Sequence, residues 1–203
     1  MKKLFNKIFY RFISLEAIQD RLNQVKINRC IASVEKHDSS RFYEEAVVHN
    51  IQNDKSKIKI GSNTHIRGEL MVFLYGGKIE IGENCFIGEG TKIWSGEHII
   101  IGNNVGISHN INIMDFAHES NHLKRAEGVI SIFKNGHPKD KGDILTSPII
   151  IEDYVAIYPN SSILRGVRIG KGSIISTGSV VMNDVPPFSL IMGNPGRVMG
   201  KTN

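Results

Sequence analysis

The sequence predicts a mainly β fold, a parallel β-helix of triangular coils preceded by a helical segment and interrupted by one long protruding loop. Three observations carry this prediction. Branched aliphatics dominate, with 31 Ile and 13 Val against 9 Leu in 203 residues, a bias toward extended backbone. They recur every sixth residue, so that Ile151, Ile157, Ile163, Ile169, Ile175 and Val181 occupy one unbroken register. The fourth residue after each is also small or β-branched: Val155, Ser161, Val167, Ser173, Ser179 and Val185. Two inward positions per hexapeptide fit a narrow interior, with three hexapeptides per turn and each face a short strand stacked on the next coil. An Ile-rich sandwich would instead show strict alternation and turn signals about every ten residues.

Residues 1–57 read as a separate N-terminal segment. Phe5, Ile8, Phe9, Phe12, Leu15, Ile18, Leu22 and Val25 recur at spacings of three and four, which predicts one or two amphipathic helices ending before Asp38-Ser39-Ser40. The chain has a net charge of +5, and residues 1–29 hold all of it: Lys2, Lys3, Lys7, Arg11, Arg21, Lys26 and Arg29 against Glu16 and Asp20, 7 − 2 = +5. Two readings fit such a helix: packing on the first coil or a neighbouring subunit, or lying on an anionic membrane surface. The basic start has Lys7 and Arg11 inside its apolar stretch and no small-residue cleavage site after it, so it is read as retained, not as a secretory signal.

The coils are expected over residues 58–200. Ile60, Ile66 and Val72 form a first run, Ile81, Ile87 and Ile93 a second, and Ile101, Ile107 and Ile113 a third. Gly61, Gly82, Gly88, Gly102 and Gly170 directly follow aliphatic positions, where tight corners favour a residue without Cβ. Gly76-Gly77 and Ser95-Gly96 mark register slips of the kind that loops leaving a corner produce. Between Asp115 and Pro148 the hexad vanishes and then resumes, leaving a loop with His118, His122, His137, Lys124, Arg125 and the polar run NGHPKDKGD. A connection this long inside a regular coil points to function.

Composition excludes several classes. With 40% hydrophobic and 22% charged residues the chain has material for a core. Beyond residue 29 the charges balance, 18 − 18 = 0, which disfavours nucleic acid as a partner. Cys30 and Cys85 are too few for a disulfide scaffold. No apolar run approaches the length of a membrane span.

The residues resemble the hexapeptide-repeat acyltransferases, especially the galactoside, maltose and capsular or lipopolysaccharide sugar O-acetyltransferases. The resemblance covers about residues 58–200 and rests on the hexads, a long loop opening DFAHESNH, the restart PIIIEDYVAIYPNSSILRGVRIGKGSIISTGSVV and the ending VPPFSLIMGNPGRV. It implies a left-handed β-helix, acetyl-CoA as acyl donor with no metal required, a sugar or glycan acceptor, and a homotrimer with active sites between subunits. Independently of the resemblance, the two cysteines make a reducing, cytoplasmic compartment the default expectation, and the basic residues 1–29 suit peripheral contact with the inner membrane face.

By motif position the resemblance makes His118 the base that takes the acceptor hydroxyl's proton. The chemistry agrees independently, because a sugar hydroxyl is too weak an acid to attack a thioester unaided and imidazole titrates near neutrality. Asp115, Glu119 or a backbone carbonyl would orient its second ring nitrogen. His109, His122 and His137 are assigned structural or substrate-side roles. The resemblance carries the CoA contacts to Pro159, the Ser176-Thr177 corner (Thr177), Met182-Asn183 (Asn183) and Arg197. This chain has Tyr158-Pro159 where relatives often have Gly-Ala or Gly-Ser, and Met182-Asn183 where they have Thr-Lys, so a phosphate-binding lysine is missing.

Three rivals share the fold. One is N-acetylation of an amino-sugar nucleotide or a small xenobiotic, although residues 1–57 hold no glycine-rich turn after a strand. The second is a metal site like that of γ-class carbonic anhydrases, but His118 and His122 are spaced H-x3-H, not H-x4-H, and their partner position near residue 82 has no histidine within about ten residues. The third is a non-enzymatic trimeric scaffold.

Overall fold

The computed structural model describes residues 3–4, 6–7, 10, 14–117, 122–135 and 140–203. The coils form a left-handed parallel β-helix. Its first face is a six-stranded sheet running from Glu35–Lys36 to Arg168–Ile169. The second face runs from Arg41–Phe42 to Ser189–Met192, with Arg197–Lys201 turned back antiparallel as its eighth strand. The third runs from Val47–Asn50 to Val180–Val181. The strands of successive coils pair in parallel and in step, for example Ile81 with Ile101 and Ile101 with Ile151.

The hexad explains this geometry. Ile151, Ile157, Ile163, Ile169, Ile175 and Val181 all point inward and are at most 2% exposed. The stiff branched side chains stack coil upon coil, each buried Ile adding about 1.5–3 kcal/mol relative to an exposed one. At the corners the second register is buried too, and several of its hydroxyls serve the fold. Thr64 Oγ1 donates to the Gly82 carbonyl at 2.8 Å, Thr91 Oγ1 to that of Ser108 at 2.6 Å, and Ser161 Oγ to that of Ser176 at 3.0 Å. Small polar residues inside the corners thus satisfy carbonyls that the short strands leave over.

Asparagine occupies left-handed corner positions at Asn63, Asn84 and Asn104 on one edge and at Asn110 and Asn160 on another, a conformation its short polar side chain tolerates. Gly61 serves a different need. A Cβ there would lie 2.7 Å from the Gly82 backbone, so this glycine permits close stacking of consecutive corners.

The helical part and the coils divide earlier than residue 58. Helix α1, Leu15–Ala32, is capped by Ser14, whose Oγ accepts the Ala17 N–H at 3.1 Å. The coils begin at Glu35, which pairs with Lys59. The first coil lacks the aliphatic signature because Lys36 and Phe42 occupy its inward register. Lys36 Nζ covers the open end of the coil by donating to the carbonyls of His37 and Ser40 at 2.9 and 3.1 Å. Cys30 and Val34 are buried on the core and Ile27 packs against it, while Leu15, Ile18, Leu22 and Val25 are exposed.

The long insertion leaves the coils between the third and first faces. It is not all loop: α2, His122–Asn135, lies within it. Its neck is a two-stranded antiparallel ribbon of Phe116–Ala117 with Leu145–Thr146.

Candidate functional site

Asp115 fixes the neck of the insertion. The residue is fully buried, and its carboxylate accepts the Ser95 hydroxyl at 2.7 Å and the N–H groups of Gly96 and Glu97 at 2.6 and 3.0 Å. Burial pushes its carboxyl above the usual carboxylate range, against the opposing pull of the Ser95 hydroxyl and the N–H groups of Gly96, Glu97 and His98. Its carbonyl accepts the Ser147 N–H at 2.9 Å, so one residue holds both strands of the neck. The register slip at Ser95-Gly96 is therefore a socket for Asp115, not a protruding loop. His118 and His137, and the Glu119 considered as an orienting group, lie outside the described residues.

Beside the neck the third face and the insertion line an open-mouthed cavity of about 420 Å³. Three outward positions stack beneath it, His49 on Met71 and Met71 on Trp94, one per coil. Met71 and Phe73 are buried, although they stand on the outer side of the coil near the insertion. Phe73 stacks on Tyr75 with centroids 5.1 Å apart and meets Phe116 edge-on at 4.9 Å. Ile132 of α2 and Ile144 complete the apolar wall. One end is polar: Glu69 Oε1 accepts the Trp94 Nε1–H at 3.0 Å and lies 3.8 Å from His49 Nε2. Burial pushes the Tyr75 phenol up to about 12, with the Asp115 carboxylate adding to the effect.

His49, Glu69 and Trp94 are functional candidates that the sequence reading missed. The signal was present: they stand at outward positions of successive coils, where an aromatic and a charged pair have no structural task. It was hidden because His49 lies in the coil whose hexad is broken.

The structure divides the residues assigned to CoA. Pro159 and Thr177 lie at consecutive corners between the second and third faces, where the Gly178 N–H donates to the Pro159 carbonyl at 3.0 Å. The corner below runs through Gly193 to Gly196, tied by Val180 N–H to Gly193 O at 3.0 Å and Gly196 N–H to Val180 O at 2.8 Å. Arg197 follows it, exposed, with Nη1 donating to the Gly196 carbonyl at 3.2 Å. His109 belongs to the same edge, its carbonyl accepting the Asn160 N–H. Asn183 is not with them: it is exposed on the edge between the third and first faces, the edge from which the insertion leaves. Among the described residues no group of three His, Cys, Asp or Glu side chains is arranged to hold a metal ion, and no helix is long and apolar enough to cross a membrane.

Comparison with known proteins agrees with the fold. The family model for Bacterial transferase hexapeptide (six repeats) matches residues 148–183. A 2,3,4,5-tetrahydropyridine-2,6-dicarboxylate N-acetyltransferase of Staphylococcus aureus (strain JH9) is 49% identical over 53 residues, which span 26% of this chain and only 22% of that protein. Among solved structures, the chain is similar to AntD, an N-acyltransferase from Bacillus cereus in complex with dTDP and 3-hydroxybutyryl-CoA (TM-score 0.67, 19% identity, 91% of this chain and 88% of that one). It is also similar to the hexapeptide-repeat acetyltransferase VCA0836 of Vibrio cholerae O1 biovar eltor, complexed with acetyl coenzyme A (TM-score 0.57, 22% identity, 95% and 92%). A third likeness is to the polySia specific acetyltransferase NeuO (TM-score 0.60, 22% identity, 82% and 70%).

Proposed function

We propose that this chain, whose coils carry a hexapeptide-repeat match over residues 148–183, is an acyltransferase moving the acetyl group of acetyl-CoA to a sugar hydroxyl of a surface polysaccharide or its precursor. The observation that carries this reading is the anchored neck. Buried Asp115 fixes the ribbon Phe116–Ala117 at the rim of an open-mouthed cavity. His118 follows that ribbon strand in the sequence, two residues after Phe116.

In the proposed reaction His118 takes the proton as the acceptor oxygen attacks the thioester carbonyl carbon. The carbon–sulfur bond breaks, and the proton passes to the departing CoA thiolate. No protein nucleophile is required. Asp115 acts as a positioning residue, and the corners at Pro159 and Thr177 offer backbone groups to an extended pantetheine arm while Arg197 suits a phosphate. Asn183 lies on a different edge, and a groove between two copies would offer both edges to one ligand. The exposed apolar positions of α1, together with Leu123, Ile130 and Phe133 of α2, support the homotrimeric assembly that such a groove requires.

Acetyl-CoA turnover over a panel of sugars tests the reading. His118→Ala is expected to lower kcat/KM by about 10²- to 10⁴-fold; an unchanged rate would remove His118 from the mechanism. A second reading, N-acetylation of an amino sugar, is favoured by the N-acyl transfer named for AntD and for the staphylococcal relative. The same panel should therefore pair each sugar with its amino counterpart.

A further inference from the structure

The acceptor's chemical class can be read from the cavity beside the neck, and this inference rests on the acyl-transfer reading above. The wall formed by Met71, Phe73, Phe116, Ile132 and Ile144 offers a ligand no side-chain donor or acceptor. A fully hydroxylated hexose seated against it would bury hydroxyls without partners, each at a cost of about tenfold in affinity. Among the described residues polar groups are confined to specific points. Glu69 Oε1 is engaged by the Trp94 indole, while Oε2 accepts no hydrogen bond among the described residues. The Tyr75 hydroxyl likewise makes none among them, and half-exposed His49 stands beside Glu69. A volume of about 420 Å³ lies within the usual range of small-molecule sites.

We propose that the cavity binds the apolar part of an amphiphilic acceptor, a hydroxylated ring carrying an aryl or alkyl substituent. The substituent lies against Met71, Phe116 and Ile132, and the hydroxylated ring hydrogen-bonds Glu69 and Tyr75. Acceptor selection then depends on the substituent as much as on the sugar.

Trp94 is the sole tryptophan of the chain and lines the cavity, so its fluorescence reports binding without any turnover. Full-length protein is titrated, without acyl-CoA, with phenyl β-D-glucopyranoside and with methyl β-D-glucopyranoside. The phenyl glycoside is expected to give a saturable change in Trp94 emission and to bind at least about tenfold more tightly. Ile132→Glu is expected to remove that advantage and Ile132→Leu to keep it, with circular dichroism showing both folded. Equal affinity for the two glycosides, no saturable change, or indifference to Ile132→Glu in a folded protein would overturn the proposal. If turnover is seen but the phenyl glycoside has no advantage, only the cavity's role fails. If the phenyl advantage holds and no acyl transfer occurs, it is the enzymatic reading that fails.

Discussion

Gly77 leaves no room for a side chain against the next coil. Its φ is +116°, and a Cβ there would stand 2.1 Å from the Ser95 carbonyl oxygen. Backbone cannot yield as a side-chain tip can, so Gly77→Ala is expected to cost at least about 2 kcal/mol, read as a lower denaturation midpoint at unchanged slope. The interior is as unforgiving in the other direction. Ile163→Val should cost about 0.5–1.5 kcal/mol and Ile163→Ala about 2–5, because a narrow stack collapses poorly around a void. For Asp115 the expectation concerns pH. Its folded-state pKa is raised by burial, so the unfolded chain gives up this proton first, and the stability present at low pH is lost as pH rises through the folded value. The Tm of wild type should therefore fall relative to that of Asp115→Asn between about pH 4 and neutrality. A constant difference between the two melting curves across that range would contradict the burial argument.

At the scale of elements, the insertion is a module hung from a rigid scaffold. Its strands Phe116–Ala117 and Leu145–Thr146 already lie side by side, so a Gly-Ser linker of about four residues can replace residues 118–144 as a hairpin. The truncated protein should melt within about 4 °C of wild type and lose acyl transfer altogether; retained transfer would show that the insertion is not catalytic. The coils were legible from the hexads because every inward position repeats the same packing problem. The first coil was not, since Lys36 and Phe42 solve that problem at an end where the interior is open. Helix α2 escaped notice for a related reason: Leu123, Val129, Ile130 and Phe133 are exposed, and their spacing is interrupted by Gly128 and followed by a polar run. A helix that packs little against its own chain leaves only a weak trace in the sequence.

Within the site, Asp115 was legible as a residue of interest, but its socket at Ser95–Glu97 was not, because a buried carboxylate's partners are set by coil stacking and not by sequence spacing. Conversely, Pro159 and Thr177 stack because 18 residues make one regular coil, and the same arithmetic puts Asn183 on another edge.

For the whole molecule, charge and apolar surface are unevenly placed. The excess of +5 lies in residues 1–29, and the described part of this segment sits at the end of the coils where α1 covers Val34 and the first turn. In the proposed trimer three copies would gather roughly fifteen positive charges, which would favour an anionic surface at low salt. Deleting residues 1–29 is expected to weaken sedimentation with phosphatidylserine vesicles while His118-dependent turnover continues. If the full-length protein does not sediment with these vesicles at low salt, the charge serves only to solvate α1.

The backward turn of Arg197–Lys201 has a consequence for the molecule in a crowded solution. A stack of parallel coils is a template open at both ends, and an identical molecule could add to it without limit, making a filament from a soluble unit. At one end α1 and the Lys36 ammonium close the template. At the other, the final strand of the second face runs antiparallel and presents the wrong polarity to an incoming coil. Removing residues 197–203 should therefore give a protein whose light scattering grows with time and concentration faster than that of the full chain, although no residue proposed for acyl transfer apart from Arg197 would have been touched.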